Sequence, residues 1–162
     1  MKKIIPLAVI VSLLFSACSV QETVDPQQFL VRLAKADENM VLSDNSIFYE
    51  ENSCVCFFEY KENRFVIEQF FGSNGIVNRI CVSSGTDEID IFKQCIKSVI
   101  SVYAPEDDVS EITDMLFKEG YSYYESKWYG YSSFSDGKSF FFSVENKKLS
   151  QTETEKLTLR EE

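Results

Sequence analysis

From Asp25 onward the apolar and polar positions follow a helical period. Phe29, Leu30, Leu33 and Ala34 share one face, and Asp25-Pro26 supplies a cap followed by proline at the first helical position. This predicts a helix to about Ala36, then a loop from Asp37 to Asn45 that Met40, Val41 and Leu42 interrupt. From Ser46 the period changes to two, with β-branched and aromatic residues enriched, which predicts strands at Ile47–Glu50, Cys54–Tyr60, Arg64–Phe71 and Ile76–Val82. Lys61-Glu62-Asn63 and Gly72-Ser73-Asn74-Gly75 read as turns, and connections this short imply an antiparallel meander.

Ile89, Phe92, Ile96, Val99 and Tyr103 then repeat at spacings of three and four, the clearest helical stripe in the chain. Ser84 and Asp87 stand in capping-box spacing before it, and Pro105 follows it. A second helix is expected from Asp108, with Glu111 at its third position and Val109, Ile112 and Leu116 as its buried stripe, up to Gly120. Tyr121 to Phe134 and Ser139 to Val144 read as strands joined by the hairpin dipeptide Asp136-Gly137. Leu149 to Glu162 is polar and lacks aromatics. The fold class is therefore α+β: an antiparallel sheet of a four-strand meander plus a C-terminal hairpin, with an N-terminal helix and two central helices on one face.

Alternation sorts the strand residues into two faces. Cys54, Cys56, Phe58 and Tyr60, with Phe65, Ile67, Phe71, Ile76, Ile80 and Val82, make a nearly apolar set expected beneath the helices. The opposite set mixes apolar and charged residues: Val55, Phe57, Glu59, Arg64, Val66, Glu68, Phe70, Val77, Arg79 and Cys81. Either the C-terminal hairpin and the twist of the sheet cover this mixture, or it receives a ligand or partner, since apolar centres rimmed by charge mark interaction patches. The dense aromatic run that contains Trp128, Tyr129 and Tyr131 admits the same two outcomes, core or a stacking surface for sugar rings. Phe57, Phe70, Arg79, Trp128, Tyr129 and Tyr131 are thus the candidate binding residues.

The start of the chain has a different logic. Met1-Lys2-Lys3 is followed by the apolar run Ile4 to Phe15, too short to cross a bilayer as a helix and laid out as a secretory signal. Leu14-Phe15-Ser16-Ala17-Cys18 then resembles the lipobox of bacterial lipoproteins, although Phe15 takes the place three before the cysteine where that family usually has leucine. The resemblance covers residues 1–18 and implies cleavage before Cys18, which would carry diacylglycerol in thioether linkage. The expected organisation is a signal peptide at 1–17, a lipidated tether at 18–24, one domain at 25–147 and a polar, acidic tail at 148–162. The location implied is a cell membrane, lipid-anchored on its extracytoplasmic side, or the periplasm.

Composition narrows the chemistry. The 162 residues include no histidine, which removes Ser-His-Asp and Cys-His catalysis and imidazole ligands. A net charge of −10 opposes nucleic-acid binding, and it understates the acidity of the exported part, because Lys2 and Lys3 lie in the leader. Carboxylates adjoin at Glu50-Glu51, Asp87-Glu88 and Asp107-Asp108; paired acids can serve glycoside hydrolysis, but the last two pairs stand at helix starts, where the helix dipole favours them. No catalytic residue, metal site or cofactor is assigned. Setting Cys18 aside leaves Cys54, Cys56, Cys81 and Cys95, for which one disulfide of Cys95 with Cys54 or Cys56 and four buried thiols are both open. The function expected is a non-enzymatic binding or accessory module of the cell envelope, with an envelope protein or glycan as partner. The alternative is a glycan-directed hydrolase.

Overall fold

The computed structural model describes residues 24–86, 88–117 and 120–151, without the side chains of 43–46. Helix α1 (Pro26–Ala36) starts as its sequence dictates: the Asp25 carboxylate accepts from the Gln28 amide at 2.8 Å, and Pro26 takes the first position. Phe29, Leu30 and Leu33 are its buried face. Helix α2 (Ile89–Tyr103) buries Phe92, Ile96, Val99 and Tyr103 as the stripe requires, and also Cys95 and Ile100. It begins at Ile89, beyond the Ser84-Asp87 capping box. Ser84 Oγ instead accepts from the Thr86 amide, and Thr86 Oγ1 from the Glu88 amide, while Asp87 lies outside the described residues. Helix α3 (Val109–Leu116) is capped by Asp108, whose carboxylate accepts from Ser110 and Glu111, each at 3.0 Å. It stops at Leu116, short of the expected Gly120.

The strands are β1 (Met40–Tyr49), β2 (Ser53–Tyr60), β3 (Asn63–Phe71), β4 (Val77–Ser84), β5 (Gly120–Glu125), β6 (Tyr129–Ser135) and β7 (Phe140–Asn146). These seven form one antiparallel sheet in the order β1-β2-β3-β4-β7-β6-β5. The expected meander is present, and it is joined to the C-terminal strands through β4 and β7. Two expectations need correction. Met40 to Leu42 are not loop but the first pairs of β1, whose register shifts between Leu42 and Ile47. Tyr121 to Phe134 is not one strand but two, β5 and β6, folded back at residues 126–128 around a Ser126 hydroxyl that accepts from the Trp128 and Tyr129 amides.

Helices α1, α2 and α3 lie on one face, and the core fills the layer between. Phe92 is its centre: its ring stacks on Phe65 at 6.1 Å and on Phe140 at 5.3 Å, with Phe117 edge-on at 5.6 Å. The buried hydroxyls on this side are satisfied. Tyr103 donates to Val77 O, Tyr129 to Tyr103 O, and Ser133 to Leu116 O. Tyr131 donates to the Asp107 carboxylate at 2.6 Å.

Gln69 is the exception. It occupies a helix-side position between Cys54 and Ile80, fully buried, and neither its amide nitrogen nor its oxygen has a partner among the described residues. A buried unpaired polar group costs about 1–3 kcal/mol. Gln69→Met, which keeps the length and removes both polar atoms, is therefore expected to raise the melting temperature by a few degrees, roughly what 1–2 kcal/mol gives in a domain of this size. A lower melting temperature would mean that a group beyond the described residues completes this amide.

Candidate functional site

None of α1 to α3 lies on the other face of the sheet; a helical turn at residues 147–151 stands at its polar end, where Ser150 and Gln151 help to line a cleft. The strands β5 to β7 extend the sheet rather than folding over it, so the expectation that the C-terminal hairpin covers the mixed face is corrected: among the described residues no strand covers that face, called the open face below. The register shows how its residues line up. Phe57 pairs with Val66, Val66 with Ser83, Ser83 with Phe141, Phe141 with Phe134, and Phe134 with Tyr121. These direct neighbours form one row across six strands, and Phe48 on β1 extends it through an edge-on contact with Phe57 at 6.1 Å. Phe57 is 48% exposed, Phe134 47% and Tyr121 69%. A contiguous row in this state of exposure, apolar except at Ser83, is uncommon on the surface of a folded domain.

Ser83 is the one small residue in the row, and it opens a trough of about 520 Å³ along the strands. Ser83 and Gly85 lie at its base, Phe57 and Val66 on one side, Phe134 and Phe141 on the other. Arg64 lines one end and forms an exposed ion pair with Glu59 at 3.9 Å. Toward the opposite end of the sheet the same face becomes polar. A cleft of about 440 Å³ there includes Arg79, Tyr123, Glu125, Glu145 and Lys147. Gly130 lies between Glu125 and Glu145 in the register, and a Cβ on it would stand 3.2 Å from Tyr123 Oη, so the ring of Tyr123 lies across the glycine. The Tyr123 hydroxyl donates to Glu125 at 2.9 Å, which, with some burial, raises its pKa. Lys147 stands 3.7 Å from the same carboxylate, and the Arg79 guanidinium lies over the Phe70 ring at 4.1 Å.

No family model, curated protein or solved structure matches this chain.

The candidate residues divide accordingly. Phe57, Phe70 and Arg79 are on the open face as alternation implied. Tyr129 and Tyr131 are not: they are 4% and 0% exposed, on the helix side, and their hydroxyls are held by Tyr103 O and Asp107. Trp128 is half-buried against the core with the Lys127 ammonium over its ring at 4.3 Å. The aromatics that face outward in this region are Tyr121, Tyr123 and Phe134, which the sequence grouped with the others. In the register odd positions of β5 pair with even positions of β6, so a phase carried straight through from Tyr121 to Tyr131 assigns one of the two strands to the wrong face.

Three of the carboxylates named from sequence have structural roles, while Glu88 precedes α2 without a side-chain cap bond and Asp87 lies outside the described residues. Asp108 caps α3, Asp107 holds Tyr131, and Glu50 accepts from Ser53 at 3.3 Å. None of Cys54, Cys56, Cys81 and Cys95 is in a disulfide, so of the two alternatives the bond of Cys95 with Cys54 or Cys56 is not formed. The Cys95 thiol is placed toward Tyr60 and Asp37, whereas Cys54 and Cys56 lie six and four residues back along β2, about 20 and 13 Å. Burial raises the pKa of the Cys95 thiol, with the Asp37 carboxylate adding to it. Cys81 is on the open face, and burial raises its pKa despite an opposing hydrogen bond with Ser143. Among the described residues no group of three His, Cys, Asp or Glu could hold a metal ion, and no helix is long and apolar enough to cross a membrane. Cys18 and the rest of 1–23 lie outside the described residues.

Proposed function

We propose that this protein is a lipid-anchored, extracytoplasmic binding module of a bacterial cell envelope, and that the open face of its sheet is the binding surface. The observation that carries the binding part is the exposed row from Phe57 to Tyr121 with the trough at Ser83. The anchor part rests on the lipobox-like stretch ending at Cys18. With two acyl chains on Cys18 the attachment would be stable without any contribution from the acidic surface.

The two parts have separate tests. Growth with labelled palmitate is expected to label the wild-type chain and not Cys18→Ala; label retained in the variant removes the anchor. A photo-cross-linking residue in place of Phe134 is expected to give one discrete adduct in intact cells, and the same residue in place of Glu38, before β1, is expected to give none. Equal patterns from the two positions would remove the open face as the binding surface.

A glycan-directed hydrolase is the second reading, favoured by one observation: Glu125 and Glu145 flank Gly130 in the polar cleft, their α-carbons two strand spacings, about 10 Å, apart. Release of reducing ends from envelope glycan by the wild-type chain, lost in Glu145→Gln, would establish it in place of the binding module.

A further inference from the structure

The polar cleft and the apolar trough are not separate features. Ser132, Ser143 and Cys81 are direct cross-strand neighbours on β6, β7 and β4, and Cys81 is followed two positions later by Ser83 on the same face. A path of small side chains therefore leads from the cleft at Gly130 to the base of the trough. From Cys81 to Gly85 it runs about 13 Å along β4, the length of a medium acyl chain. The large side chains stand beside this path, with Tyr123, Phe134 and Phe141 on one flank and Phe57 and Val66 on the other.

The two ends select different chemistry. The trough is apolar. The cleft contains two cations, Arg79 and Lys147, and two anions, Glu125 and Glu145, so its formal charge is balanced. A ligand group of one sign would meet like charges there, and an anionic one would also meet the −10 charge of the chain. A neutral or zwitterionic group finds donors and acceptors together: the Arg79 Nε–H has no partner among the described residues, and serine hydroxyls line the cleft beside it.

We infer that the open face binds a single-chain amphiphile, its neutral or zwitterionic head in the cleft at Arg79 and Glu145 and its acyl chain in the trough at Ser83. The inference rests on the proposed use of the open face as a binding surface and goes further by naming the ligand class. Charge balance in the cleft and the continuity of the small-residue path decide the occupant: a peptide strand would need no such change from polar to apolar along its length.

The test is calorimetric titration of the purified chain with dodecylphosphocholine below its micelle concentration, beside dodecyl sulfate and free phosphocholine. Saturable one-to-one binding of dodecylphosphocholine is expected, with dodecyl sulfate weaker by roughly tenfold or more and phosphocholine weaker still. Ser83→Phe places a strand-compatible ring in the trough at a partly exposed position; it is expected to keep the melting temperature and weaken dodecylphosphocholine by roughly tenfold or more. Glu145→Lys is expected to turn the preference toward dodecyl sulfate. Equal affinity for the two dodecyl compounds, non-saturable binding, or binding unchanged in Ser83→Phe overturns the inference. If Ser83→Phe leaves amphiphile binding intact but removes the adduct formed at Phe134, the amphiphile is wrong and the open face remains the binding surface; if the wild-type chain gives neither amphiphile binding nor an adduct, both readings fall.

Discussion

Above about pH 11 the protein is expected to unfold cooperatively, and its buried tyrosines to ionise only as it does so. Burial is the main cause that raises the pKa values of Tyr103 and Tyr131 well above 10, with Asp107 adding to the effect at Tyr131; burial likewise raises the Cys95 thiol above its usual 9. The sign follows from proton counting. Between the unfolded and the folded pKa the folded chain keeps protons that the unfolded chain releases, so stability falls as pH rises through that interval. Each such group removes about 1.4 kcal/mol per pH unit, beginning near 10 for a tyrosine and 8.5–9 for a thiol. By pH 11 these three groups together remove about 6 kcal/mol, near the lower end of the stability of a typical domain. In absorbance at 295 nm followed from pH 8 to 12.5, the exposed tyrosines should ionise first, and a second rise should coincide with the loss of far-ultraviolet circular dichroism. Ionisation of all eight tyrosines with native dichroism retained would mean that the buried hydroxyls are open to water.

The second large effect distinguishes the two faces of the sheet. Phe92→Ala removes the ring on which Phe65 and Phe140 stack and against which Phe117 packs, at a site with no solvent exposure. The expected loss is about 3–5 kcal/mol, enough to leave much of the population unfolded at 37 °C if the wild type is of ordinary stability. Phe57→Ser, on the open face, should cost less than about 1 kcal/mol, because nearly half of that ring is already in water. Urea unfolding of the two variants measures both. Similar losses would show that Phe57 is core after all and would remove the row as a binding surface.

How much of this was legible in the sequence depends on whether a signal was local. Asp25-Pro26 and Asp108-Val109-Ser110-Glu111 act within one helical turn, and both caps form as written. The stripe Phe92, Ile96, Val99 and Tyr103 needs only its own helix, and it is buried throughout. What was hidden depends on partners distant in sequence. Met40 to Leu42 precede a run of turn-forming residues and look like loop, yet they pair with Phe58 to Tyr60. Tyr129 and Tyr131 belong to the same aromatic run as Tyr121 and Tyr123, and only the reversal at 126–128 puts the two pairs on opposite faces. The candidate site shows the same division. Alternation placed Phe57, Phe70 and Arg79 on one face, but the row, the trough and the path of small residues arise from cross-strand register, which no single strand encodes. Gln69 fits neither local nor register reasoning: it stands where alternation demands an apolar residue.

The place of β7 in the sheet has a kinetic consequence. Phe140–Asn146 is the last described strand in sequence, yet it lies between β4 and β6 and joins the meander to β5 and β6. Until it has been synthesised, β4 has a bare edge and the ring of Phe92 lacks Phe140. At ordinary elongation rates of about 5–20 residues per second, the nascent chain therefore spends several seconds unable to complete its core. Closure through pairs such as Arg79 with Glu145, distant in sequence, also places folding among the slower, high-contact-order cases. A chain that cannot close early stays threadable for those seconds, the condition a translocation pore requires of its passengers.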